Sequence, residues 1–153
     1  MSGSGLKVVV AVDGSKHAEY ALQYYIDHFY RSDHRVTALY TTPPIFPGFY
    51  SNPYSVMSSE IIEACHRDQE AHATKVKATC DEIAKDLTCY TFVHEKDVER
   101  PGHGIVHYVK ENNCQYVVMG TRGLGNIKRT ILGSVSDHVL HHVHVPVTIV
   151  KEK

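Results

Sequence analysis

Residues 116–135 read Tyr116-Val-Val-Met-Gly-Thr-Arg-Gly-Leu-Gly-Asn-Ile-Lys-Arg-Thr-Ile-Leu-Gly-Ser-Val135. Tyr116 to Met119 form a short apolar run of buried-strand type, and Gly120 breaks it sharply. Gly123 lies within the break. Gly133 and Ser134 follow after a nine-residue spacer and open a segment with helical spacing at Val135, Val139 and Val143. Glycine at such bends lets main-chain N–H groups approach an anion with no Cβ in the way. Ser134 either caps the following helix or gives its hydroxyl to a phosphate. The stretch therefore reads as the phosphate-holding part of a nucleotide site. The plainer reading is an ordinary turn and an ordinary helix start, and the rest of the chain has to decide between them.

Upstream, Leu6 to Val12 is a β-branched run broken by one lysine and ended by Asp13-Gly14-Ser15. It is too short for a buried helix and reads as a strand covered on both faces, as in a parallel sheet. Ser15 sits where a helix N-cap belongs, and Ala18, Ala21, Leu22, Tyr25, Ile26 and Phe29 follow at helical spacing. Arg35 to Tyr40 predicts a second strand. A long helix is expected from Met57 to Leu87, a third strand from Cys89 to Val93, and a turn at Arg100-Pro101-Gly102-His103-Gly104. A short helix through Ile105, Tyr108 and Val109 comes next. Cys114 to Met119 makes the fourth strand, a helix runs from Ser134 to about His142, and Pro146 to Val150 is the last strand. Strict β-α alternation predicts an open, Rossmann-like parallel sheet with helices on both faces. Residues 1–5 read as a flexible tail and residues 6–153 as one domain.

Composition narrows the class. The chain has 153 residues, 42% of them hydrophobic and 22% charged, with a formal net charge of −1. Those values are typical of a soluble globular protein and not of a general nucleic-acid or anionic-membrane binder. No apolar run is long enough to span a bilayer and no signal-peptide pattern opens the chain, so a cytoplasmic location is expected. The four cysteines show no C-x-x-C pairing, and Cys65 and Cys80 fall on one apolar helix stripe. Buried, reduced thiols are the expectation. Residues 42–56 hold four prolines and four aromatics and exclude a regular helix or a central strand. They read either as a flap over a ligand or as an exposed connector.

In an open parallel sheet, ligands bind beyond the carboxyl ends of the strands where the strand order reverses. Two bends qualify, Asp13-Gly14-Ser15 and Gly120 to Gly123. Neighbouring first and fourth strands would bring them to one crevice. Asp13 there suits a ribose hydroxyl or a phosphate-bound Mg²⁺; its other reading is a turn residue bonding local N–H groups. Neither G-x-G-x-x-G nor G-x-x-x-x-G-K-[ST] is present, which excludes a standard dinucleotide or P-loop site.

From Leu6 to Lys153 the chain resembles the universal stress proteins of the UspA type. Their ATP-binding signature G-x2-G-x9-G-[ST] is matched by Gly120, Gly123, Gly133 and Ser134, and Val-Ala-Val-Asp-Gly-Ser near the start is also similar to the family. The resemblance implies a five-stranded sheet of order 3-2-1-4-5, with ATP, ADP or AMP across the crevice of strands one and four. It implies that Asp13 reaches the ribose or metal, that Ala11 and Val12 line the crevice beside it, and that main chain near Thr41 faces the adenine. Gly120, Gly123, Gly133, Ser134, Val135 and Ser136 would hold ribose and phosphates, with Met119 and Arg122 lining the site. It further implies a homodimer joined along Val147, Thr148, Ile149 and Val150. The function implied is a nucleotide-dependent stress-response regulator. The alternatives are a slow ATP hydrolase of the same fold and a ligand-free dimeric scaffold.

The twelve histidines include His138, His141, His142 and His144 near the end. His138 and His142 make one i, i+4 pair with no coordinating carboxylate or cysteine nearby in sequence, so partly exposed histidines with a pH-sensitive charge are expected rather than a metal site. Lys128 and Arg129 either approach phosphates or form a solvated pair. No nucleophile–base arrangement or carboxylate couple stands out, so binding without efficient turnover is the expectation.

Overall fold

The computed structural model describes residues 5–45, 57–121 and 132–152. Its elements are β1 (Lys7–Val12), α1 (Lys16–His28), β2 (Arg35–Thr41), α2 (Ser59–Ile83), β3 (Tyr90–Glu95), α3 (Pro101–Glu111), β4 (Tyr116–Thr121), α4 (Ser134–His142) and β5 (Val147–Lys151). The five strands form one sheet of order β3-β2-β1-β4-β5. Every pairing is parallel, with Val8 opposite Val36 on one side of β1 and opposite Tyr116 on the other.

The strand period of two sorts the side chains between two apolar layers. Val8, Val10, Val12 and Val118 pack with Ala18, Leu22, Tyr25, Val76 and Cys80 of α1 and α2. Val9, Val117 and Met119 face the opposite way, against Ile105 and Val109 of α3 and Val139 of α4. β1 is covered on both faces, and its Val9 and Val10 are fully buried. Burying each such side chain contributes roughly 1.5–3 kcal/mol. Sheet, layers and strand order are those expected. Deep in the α1 layer, the Tyr25 hydroxyl lies 2.6 Å from His34 Nδ1, so the buried polar groups there satisfy each other.

Four local expectations need correcting. The fourth strand does not stop at Met119: Gly120 and Thr121 continue β4, paired with Val150 and Lys151. The segment from Arg100 to Gly104 is no separate turn, because α3 starts at Pro101. Proline supplies the φ of a first helical position, and its missing N–H costs nothing there. Gly102 and Gly104 sit inside the helix at positions where neighbours leave no room for a side chain: a Cβ on Gly104 would sit 2.5 Å from Val98 Cγ1. The residue capping α4 is Gly133, not Ser134, and among the described residues no side chain caps that helix. The thiols are not uniformly buried. All are free, with Cys80 and Cys114 buried, Cys65 half-buried and Cys89 exposed. Burial, then the charges of Asp81 and Glu19, pushes the Cys80 thiol up to about 12, which keeps it protonated and unreactive.

Strands β3 and β5 are the sheet edges. Among the described residues no helix is long and apolar enough to cross a membrane. The segment 46–56 and the residues Arg122, Gly123, Lys128 and Arg129 lie outside the described residues.

Candidate functional site

Strands β1 and β4 are direct neighbours, and their chains leave the sheet in opposite directions, β1 toward β2 and β4 toward β5. Beyond their carboxyl ends opens a cavity of about 310 Å³. β1 and the bend after it give it Ala11, Val12, Asp13 and Ser15; β2 gives Thr41; β4 gives Met119 and Gly120; the start of α4 gives Gly133, Ser134, Val135 and Ser136. Ten of the twelve residues singled out from the sequence thus line one hollow. Arg122 and Gly123 are the two outside the described residues.

Each is held there for a local reason. At the first bend Asp13 Oδ1 accepts from Ser15 N at 2.9 Å, an Asx turn that leaves the second carboxylate oxygen without a local partner in this arrangement. Gly14 has φ of +80°, where a side chain is strained. A Cβ there would also meet Val76 Cγ2 at 2.8 Å. Ser15 caps α1, its Oγ accepting from Ala18 N at 3.3 Å.

The two glycines of the second region differ in what surrounds them. A Cβ on Gly120 would lie 2.5 Å from the carbonyl oxygen of His17, so Gly120 lets the first turn of α1 rest on the end of β4. Among the described residues a Cβ on Gly133 would meet nothing within 4 Å. Its backbone is extended at φ −65°, ψ 154°, so its small size keeps the hollow open and relieves no strain. Ser136 is buried, and its Oγ donates a long 3.5 Å bond to Gly120 O, tying α4 to β4.

Five lining residues carried no ligand role in the sequence reading: Ser15, His17, Ala18, Pro101 and Ile105. Ser15, His17 and Ala18 follow from the first bend, because a helix capped at Ser15 turns its opening residues back to the strand end it left. Pro101 and Ile105 are one helical turn apart on α3 and give the hollow an apolar wall. No local pattern marks them, since they reach the site only through packing of α3 on the sheet.

Electrostatically, the hollow is faced by two helix N-termini, of α1 and of α4. The first amides of a helix have no intrahelical acceptor, and the aligned peptide dipoles place partial positive charge there. Among the described residues no side chain takes up those amides in α4, leaving them for an anion. The exposed Asp13 carboxylate lies beside the start of α1. His17 Nδ1 is 3.2 Å from Glu152 Oε2, at an angle that makes no hydrogen bond. This is an ion-pair contact available to the protonated ring. At the neighbouring mouth of β2 and β3, Thr42 Oγ1 is 2.8 Å from His94 Nε2. Burial, with Lys96 second, lowers the proton affinity of His94. The ring is thereby favoured neutral, with Nε2 free to accept from the hydroxyl.

For a divalent cation, Asp13 supplies one carboxylate oxygen and no second acidic side chain joins it at the hollow. Among the described residues no group of three or more histidine, cysteine, aspartate or glutamate side chains could hold a metal. Asp13 therefore fits a metal that arrives with most of its ligands, as Mg²⁺ on phosphate does.

An open parallel sheet with a hollow at its switch point, faced by two helix N-termini, defines an α/β protein of the doubly wound class. The chain belongs to the universal stress protein family, whose model matches residues 6–151. It is 30% identical over 155 residues to a universal stress protein of Synechocystis sp., covering 95% of this chain and 97% of that protein. It is 29% identical over 143 residues to one of Mycolicibacterium smegmatis, where the match covers 94% of this chain but only 47% of the relative's length. The chain thus spans about half of that relative. Among solved structures, the fold is similar to universal stress protein UspA from Lactobacillus plantarum, with TM-score 0.71 and 19% identity over 95% of this chain and 97% of that one. It is also similar to a family protein from Arabidopsis thaliana with AMP bound, with TM-score 0.64 and 19% identity over 97% and 92%. A universal stress protein from Archaeoglobus fulgidus in complex with dAMP gives TM-score 0.61 and 19% identity over 95% and 98%.

Proposed function

We propose that this protein binds an adenine nucleotide, ATP or AMP, in the hollow between β1 and β4 and works in the cytoplasm as a homodimeric stress-response regulator. The observation that carries the reading is the uncapped start of α4 beside the start of α1, both opening on one hollow. The uncapped amides of α4, with the first-turn amides of α1 that Ser15 leaves free, suit a polyanion. The AMP and dAMP complexes of structurally similar proteins support adenosine phosphates as that polyanion. The amides of Ser134, Val135 and Ser136, together with Arg122 and Gly123, hold phosphates. Asp13 takes the ribose hydroxyls or a phosphate-bound Mg²⁺, whose role is to neutralise phosphate charge. Main chain at Thr41 faces the base, with Met119, Pro101 and Ile105 as apolar neighbours. Regulation follows if the bound and free conformations differ in contact free energy. The edge strand β5 pairs with its counterpart in the dimer.

Binding without efficient turnover fits the lining. Among the described lining residues only Asp13 and His17 are titratable, and Asp13 is engaged by its own turn. In-line hydrolysis needs a group orienting water and charge stabilisation at the γ-phosphate. Native mass spectrometry of the freshly purified protein tests the reading. Retained mass matching an adenosine phosphate is expected, together with phosphate release no faster than the uncatalysed background over hours. Rapid release would make the protein an ATPase.

A further inference from the structure

The histidines of α3 and α4 are placed with more order than a solvated cluster needs. The rings of His103 and His138 stack across the two helices with centroids 4.2 Å apart and planes 25° apart. His138 and His142 continue the stack along α4 at 3.9 Å and 18°. Gly102 makes the room: a Cβ there would lie 3.0 Å from His138 Cδ2 and 3.2 Å from its Cβ. His142 Nδ1 donates to His138 O at 2.7 Å, which fixes that ring's tautomer and orientation. The column stands on the seam that walls the hollow, since Pro101 and Ile105 of α3 and Ser134, Val135 and Ser136 of α4 all line it.

We propose that the stacked rings of His103, His138 and His142 are a proton-operated latch between α3 and α4, holding the rim of the hollow at neutral pH and releasing it in acid. Neutral imidazoles stacked at this spacing attract as aromatic rings do. Imidazolium cations at the same spacing repel. The groups facing the central ring decide which form the fold prefers. From α3 come His103 and the Arg100 guanidinium, and from α4 itself come His142 and the Asp137 carboxylate. Burial, then His142, His103 and Arg100, lowers the proton affinity of His138, and only Asp137 opposes them. A histidine whose folded-state affinity is lowered stabilises its packing above the ordinary histidine range. That contribution is lost as pH falls through the lowered value. The column is no metal site: rings stacked face to face do not aim three nitrogens at one point.

Loosened α4 amides would also hold a phosphate less well, a consequence that rests on the nucleotide reading above. The latch itself does not. Hydrogen exchange of the unliganded protein at about pH 7.5 and about pH 5.5 decides it, each rate divided by the intrinsic chemical rate at that pH. Normalised protection across Ser134–His142 should fall about tenfold on acidification, a loss of about 1.4 kcal/mol, while β1 keeps its protection. His138→Phe, a stacked ring that cannot charge, should lose less than about twofold. His103→Gln at the exposed end should give a smaller fall than the wild type, and it decides the matter if the first variant does not fold. Equal falls in wild type and variants, or no fall in the wild type, overturn the latch. ATP affinity measured alongside should drop more in the wild type than in His138→Phe, the protonation of ATP itself being common to both. If ATP binds neither protein at neutral pH, the nucleotide reading falls and the exchange data still settle the latch.

Discussion

Gly120 and Gly133 belong to one spacing in the sequence but answer to different forces. A methyl group on Gly120 drives into the His17 carbonyl, and overpacking of that kind costs about 1–3 kcal/mol. Gly120→Ala should therefore lower the urea midpoint; an unchanged midpoint would show that α1 does not rest on that glycine. Among the described residues a side chain on Gly133 meets only the hollow. Gly133→Val should leave the unfolding curve in place and weaken ATP at least about tenfold, roughly the loss of one charge-assisted hydrogen bond. A variant that unfolds early, or one that binds as before, would contradict the placement. Asp13→Ala removes the acceptor for Ser15 N and whatever the second oxygen holds. It should weaken ATP less than Gly133→Val and flatten the magnesium dependence of binding. An unaltered magnesium dependence would remove Asp13 from any metal role.

At the scale of elements, the helices and strands with a clear period were legible, and the errors gathered where packing overrules local chemistry. Val8, Val9 and Val10 announce a strand covered twice, and Ser15 announces the start of α1. Gly102 and Gly104 looked like a turn because isolated glycines usually punctuate, whereas here His138 and Val98 occupy the space a Cβ needs. Gly120 looked like the end of β4 because the need for it comes from α1, far away in the chain. Pro101 and Ile105 were missed for the same reason, their role set by how α3 docks and not by their neighbours in sequence. The bends after β1 and β4 were legible as partners because parallel topology brings strand ends together. The α1 cap offers a direct check. Ser15→Ala removes the acceptor for Ala18 N and should cost about 1 kcal/mol, read by chemical unfolding. A cost near zero would mean that the amides of the first turn are already satisfied from elsewhere.

For the whole molecule, β5 stands at the sheet edge beside β4, and an edge strand carrying Val147, Ile149 and Val150 invites another chain. Its inner side is fastened by the hydrogen bond of Tyr116 to Thr148. Pairing of two copies along this edge is the arrangement proposed. Ile149→Lys should then shift the protein toward monomer in sedimentation while the circular dichroism spectrum stays unchanged. A dimer that survives the substitution would place the interface elsewhere. The central claim concerns the hollow at the other end of β1 and β4, and isothermal titration of ATP with Mg²⁺ into the wild-type protein addresses it most directly. Saturable binding of one nucleotide per chain, competed by AMP, is the predicted result. No heat and no competition at millimolar nucleotide would contradict the account.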